Sequence, residues 1–180
     1  MTYGCRFLIG MVAAAAMTGA ASLAHAQASA SQSTTSTVTI FRPITLTKNS
    51  DLSFGTIVRP MAGSGTVTIS EVDGSRSLSG SGALLSTGPN APAGRATYTV
   101  GGEGGQTFSI SVPANFNMTR SGGSETITVL LTPTATTGTL SNALGSAGTA
   151  SFGVGGQIPI SDGTASGAYS GAFTATVAYN

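Results

Sequence analysis

The sequence predicts an all-β protein built as an antiparallel β-sandwich. Three observations carry this expectation. Apolar residues recur at every second position in several separate runs, clusters of Gly, Pro, Asn and Asp break those runs at short intervals, and beyond the first 26 residues no comparable stretch shows helical spacing. The 180 residues include 26 glycines, about twice the usual share of roughly 7%, and Ser and Thr are abundant. Composition alone would suit a disordered linker, but an apolar period of two argues for strands with one buried face.

Residues 1–26, MTYGCRFLIGMVAAAAMTGAASLAHA, place one positive charge, Arg6, before an apolar, alanine-rich stretch and close on Ala24, His25 and Ala26. This is the order of a signal peptide, with the small-x-small pattern that a signal peptidase accepts. Cleavage is expected before Gln27, with export to the periplasm, the cell surface or the medium. The apolar part is short and runs into a neutral Ser/Thr tract, which favours removal over retention as a membrane anchor, so no stable membrane insertion is expected. Cys5 precedes the apolar region, the wrong side for a lipoprotein cysteine.

Processing limits the chemistry. Cys5 and His25 are the only cysteine and histidine, and there is no tryptophan. The expected mature chain of about 150 residues is the size of one domain. It has no disulfide, thiol nucleophile, imidazole base or nitrogen and sulfur ligand set for zinc, and no cofactor is expected. Without Arg6 its six basic residues balance six acidic ones, so it carries no electrostatic footprint for nucleic acid or anionic lipid.

Residues 27–41 read as a Ser/Thr-rich N-terminal arm whose nearest apolar pair is Val38 and Ile40. That pair is either a donor strand or the first strand of a complete sandwich. Arg42-Pro43 interrupts pairing after Ile40, which makes a swivel between arm and domain plausible there. Residues 42–180 read as the sandwich. Ile44 and Leu46 share the parity of Val38 and Ile40; Val67 and Ile69 alternate with Thr66, Thr68 and Ser70; Phe108, Ile110 and Val112 alternate with Thr107, Ser109 and Ser111; Ile127, Val129 and Leu131 follow. At the end Phe173, Ala175, Val177 and Tyr179 alternate with Thr174 and Thr176. Turn chemistry separates the runs at residues 72–75, 88–92, 101–105, 121–123 and 162–163. Seven to nine short strands are expected.

No catalytic constellation emerges. The glycine clusters at 101–105 and 153–156 read as bends and bulges, since neither opens a helix or is followed by the Lys-Ser/Thr pair of a phosphate loop. Glu71 and Asp73 are two apart, but Gly74 makes Asp73 a hairpin residue; Asp51, Glu103, Glu125 and Asp162 likewise sit beside turn residues and read as solvated carboxylates rather than a glycosidase pair. Asn117-Met118-Thr119 fits the N-glycosylation triplet, a frequent chance match, and receives no role. Tyr98, Tyr169 and Tyr179 are candidates for a sugar-stacking platform, though tyrosines at strand ends usually pack a core edge.

Two stretches carry a family resemblance. Residues 43–58, PITLTKNSDLSFGTIV, followed by Gly65-Thr66-Val67-Thr68-Ile69, resemble the opening of a family of small secreted bacterial proteins filed as a domain of unknown function, and residues 167–180, GAYSGAFTATVAYN, match its closing pattern. The likeness covers essentially the whole mature chain. The Leu-x-Phe-Gly opening and Gly-x-Tyr ending are also similar to spore coat protein U and to secreted pilins of archaic chaperone-usher systems, which often carry a disulfide that this chain lacks. The pilin likeness implies an immunoglobulin-like sandwich that lacks its last strand, completed by donor-strand exchange with an N-terminal segment of the next subunit. It further implies a strand-complementation interface of Val38, Ile40, Phe173, Ala175, Val177 and Tyr179, with identical or related subunits, a periplasmic chaperone and an outer-membrane usher as partners. The expectation is a non-enzymatic, exported structural subunit; the alternative is a self-contained secreted binding module for a carbohydrate or surface ligand.

Overall fold

The structure, a computed structural model, describes residues 29–88 and 92–180. The expected signal segment with Cys5 and His25, its cleavage point at Gln27 and the middle of the turn at 88–92 lie outside the described residues. The chain divides into two units, Met1–Val38 and Thr39–Asn180. In the first, the described residues 29–38 form no helix or strand and are all exposed.

The second unit is all-β. Its strands are β1 (Thr45–Ser50), β2 (Thr56–Val58), β3 (Ser64–Ile69), β4 (Arg76–Gly80), β5 (Ala83–Leu85), β6 (Ala96–Glu103), β7 (Thr107–Ser111), β8 (Asn115–Arg120), β9 (Thr126–Pro133), β10 (Thr137–Thr139), β11 (Ala147–Ser161), β12 (Tyr169–Ser170) and β13 (Thr176–Tyr179). The largest sheet has the order β1-β6-β11-β9-β8-β12, with β3 beside β11 and β4 outside β3; a three-stranded sheet β10-β7-β13 and a ribbon β2-β5 complete the sandwich. Every strand pairing is antiparallel.

The 15-residue β11 organises the large sheet. Val154 pairs with both Ala96 of β6 and Pro133 of β9, while Gly156 pairs with both Ile69 of β3 and Leu131 of β9. One edge of β11 is therefore shared end to end by β6 and then β3, and β9 holds the other edge across the change of partner. The glycines at 153–156 lie inside this strand. A Cβ on Gly155 would collide with the carbonyl oxygen of Ile69 and the backbone of Glu71, and one on Gly156 would stand 2.8 Å from the Leu130 carbonyl oxygen. The glycine cluster is a place of close backbone approach.

A second long-range device joins the sheets. The segments β7-β8 and β9-β10 form one extended hairpin: β8 pairs with β9 through Phe116 and Val129, and β7 pairs with β10 through Phe108 and Gly138. Its two arms pass from the large sheet to the small one where Pro113 and Pro133 interrupt the ladders, as strands do at sandwich corners. For this reason Val112, expected to continue the alternation of Phe108 and Ile110, falls outside β7. The β3-β4 turn keeps the expected chemistry, with Gly74 at φ 75° and the Ser75 amide donating to Asp73 Oδ1 at 3.0 Å.

Alternation becomes burial where both faces are filled. Val67 and Ile69 of β3, Val100 of β6, Phe108 of β7, Val129 of β9 and Val154 of β11 are fully buried, together with Leu140 after β10. Each such side chain contributes roughly 1.5–3 kcal/mol by burial. Val38 and Ile40, despite their shared parity with Leu46, belong to no strand.

Gly155→Val should destabilise the domain by more than about 3 kcal/mol, a large share of a total of about 5–15 kcal/mol, because the backbone of Ile69 and Glu71 cannot yield without breaking β11-β3 pairing. Gly163→Ala, where the added carbon meets only Ser161 Oγ at 3.7 Å, should change stability by less than about 0.5 kcal/mol. Urea unfolding followed by circular dichroism measures both.

Candidate strand-complementation site

The alternation read at the C-terminal end is present in space. Phe173, Ala175, Val177 and Tyr179 are half-buried and pack against the core, whereas Thr174, Thr176 and Ala178 between them are exposed. Thr176–Tyr179 forms β13, in register with β7 so that Val177 lies opposite Ile110 and Tyr179 opposite Phe108. Phe173 precedes the strand, its ring 5.3 Å from that of Phe116 on β8.

Parity decides which backbone groups β13 leaves free. The Asn180 amide donates to the Thr107 carbonyl at 3.3 Å, so even-numbered residues face β7 and the backbone groups of Val177 and Tyr179 face away from it. No strand among the described residues pairs on that outer side. β1 is likewise the last strand of its own sheet, and β1 and β13 come within 8 Å, Cα to Cα, without forming a ladder. The arrangement is an open sheet edge over partly exposed apolar side chains, a surface able to template a further strand.

Upstream of β1 the chain presents the other half of the predicted site. Val38 and Ile40 are each 83% exposed. The next residues are held firmly. Phe41 packs edge-on against Tyr179 with ring centroids 5.9 Å apart. The Tyr179 hydroxyl donates to the Arg42 carbonyl at 2.9 Å and accepts from the Glu103 amide at 2.7 Å. The Arg42 amide and guanidinium donate to Glu103 Oε2 at 3.2 and 3.3 Å, and the Gly145 amide donates to Glu103 Oε1.

Two sequence expectations are corrected by this cluster. Glu103, expected as a solvated turn carboxylate, is a buried side chain, because the 101–105 turn folds under the loop that carries Gly145. Arg42-Pro43, expected as a swivel, is pinned at Arg42 to the last strand and to the β6-β7 turn. The Gly145 amide holds the Glu103 carboxyl below its ordinary range; burial opposes this, and Arg42 adds to the lowering. A glutamate between glycines was visible in the sequence, but its partners are 42 and 61 residues away, a separation that no local pattern encodes.

The remaining candidates disperse. Asp73 is lowered to about 2 by the Ser70 hydroxyl and then by Ser75, within an exposed turn. Glu125 takes a two-pronged bond from Arg120 at 2.8 Å on each oxygen, and Lys48 meets Asp51 at 2.5 Å. Among the described residues no group of three His, Cys, Asp or Glu side chains could hold a metal ion. The tyrosines serve three separate places: Tyr98 stacks on Phe152 at 5.0 Å inside the sandwich, Tyr169 donates to the Ala165 carbonyl at 2.8 Å, and Tyr179 joins the Glu103 cluster.

Because the folded-state pKa of Glu103 is depressed below its ordinary 4.5, its contribution to stability is present above that value and lost as pH falls through the folded pKa. Glu103→Gln should therefore unfold at lower urea than the parent at pH 7, with the difference closing as pH falls through the lowered Glu103 pKa. Urea titrations at pH 7, 5 and 3 check the sign.

Residues 44–179 match DUF4402, a domain of unknown function. No curated protein and no solved structure matches the chain. The match begins two residues after the pinned Arg42, takes in β1 to β13 whole, and leaves the arm outside it. The chain belongs to the DUF4402 family.

Proposed function

We propose that this protein is an exported, non-enzymatic structural subunit, pilin-like in its assembly, that joins identical or related subunits by β-strand complementation. The observation that carries the reading is the outer edge of β13, unpaired among the described residues, above the half-buried row Phe173, Ala175, Val177 and Tyr179. Such an edge invites uncontrolled aggregation when left bare. A donor strand turns it into a specific joint: main-chain hydrogen bonds supply affinity, and alternate side chains reach the apolar row. The donor in this reading is the arm, residues 27–41, whose Val38 and Ile40 are exposed and share one parity.

Export follows from the order of charge, apolar stretch and small-residue site in residues 1–26. A periplasmic chaperone would cover the edge before assembly and an outer-membrane usher would direct the exchange.

Removing residues 27–41 should leave a folded domain that no longer assembles but binds a synthetic arm peptide, and Val177→Asp should weaken that binding about tenfold or more, since the new charge faces an apolar neighbour row without a partner. Size-exclusion chromatography with light scattering reads assembly, and fluorescence anisotropy reads the peptide. A full-length protein that stays monomeric at every concentration, even with a candidate chaperone and usher, overturns the proposal in favour of a self-contained binding module. Terminal sequencing of the exported protein should start within a few residues of Gln27; intact Met1 would refute processing.

A further inference from the structure

The edge of β13 is not open along its whole length. Upstream of β13 the chain is held on its inner side: β12 pairs with β8, with Tyr169 opposite Arg120 and Ser170 opposite Thr119, and a Cβ on Gly171 would stand 3.0 Å from the Phe116 ring and 3.1 Å from the Met118 backbone of β8. At the Tyr179 end, Phe41 and Arg42 are fastened to Tyr179 by ring packing and by the hydroxyl bond to the Arg42 carbonyl. Upstream of that end, Val177 and Ala175 share the parity whose backbone faces away from β7.

We propose that Phe41 and Arg42 act as a built-in stop at the Tyr179 end, so that the joint is short and accepts two apolar side chains, Val38 and Ile40 of a second copy of this chain. This rests on the strand-complementation reading. Alternate residues of a strand repeat every 6.4–6.8 Å or so, and the spacing of Ala175 and Val177 is matched by that of Val38 and Ile40. Composition changes where the gap would end: the same parity upstream reads Ser36, Thr34 and Gln32, polar residues with no apolar site to fill. Ile40 is two residues from the pinned Arg42 and 83% exposed, so this anchor is not seated on its own domain and is free for another copy.

The test uses the full-length protein carrying Val38→Asp and Ile40→Asp as acceptor, which disables its own arm, and labelled synthetic peptides of residues 29–41 as donors. The parent peptide should bind, peptides with V38D or I40D should lose about tenfold or more, and a peptide with S36D should bind within about twofold of the parent. If S36D is as damaging as V38D, the joint extends past two anchors and the stop is refuted while strand complementation stands. If no peptide binds, complementation by this arm is itself refuted.

Discussion

Close backbone approach around Gly155 and Gly156 lets one strand hold three others, and the sandwich depends on it. β6 and β3 share one edge of β11 in succession, and β9 bridges the change from the opposite edge. A side chain at Gly155 would push Ile69 and Glu71 away and separate β3 from the sheet. The buried row Val67, Ile69, Val154, Ile158 and Ile160 exists because those backbones meet at strand spacing.

The extended hairpin β7-β8/β9-β10 complements this device. Pro113 and Pro133 remove amides where the two ladders change sheet, so each arm can leave one layer and enter the other without forfeiting a hydrogen bond it could have made. The result sets β7 beside β13 in the small sheet and β8 beside β12 in the large one. One C-terminal stretch thus pairs along the outer side of the hairpin through β12 and β13, and among the described residues no strand pairs on its own outer side.

Glu103 ties the root of the N-terminal arm to that same stretch. Its carboxylate gathers donors from Arg42 and Gly145, while its amide reaches the Tyr179 hydroxyl. A buried carboxylate without such donors would be strongly unfavourable; with them it joins three distant segments at one point.

Local pattern sufficed for much of the fold. The all-β class, the alternation of Val67 and Ile69, of Phe108 and Ile110, of Ile127 to Leu131 and of Phe173 to Tyr179, and the hairpin at Gly74 all follow from a side-chain period of two and from turn chemistry, which act over a few residues. The partial burial of the C-terminal row was legible for the same reason. What tertiary structure alone decided is which partners these strands take. Glycines at 153–156 look like breakers until Ile69 and Leu130 are placed against them; Glu103 looks solvated until Gly145 and Arg42 close over it; Val38 and Ile40 match the parity of Leu46 yet join no strand, while Arg42 just beyond them is held by residues more than sixty positions away. Alternation specifies that a face is to be buried, whereas the identity of its cover, and the edge left uncovered, depend on contacts between segments that only the folded chain brings together.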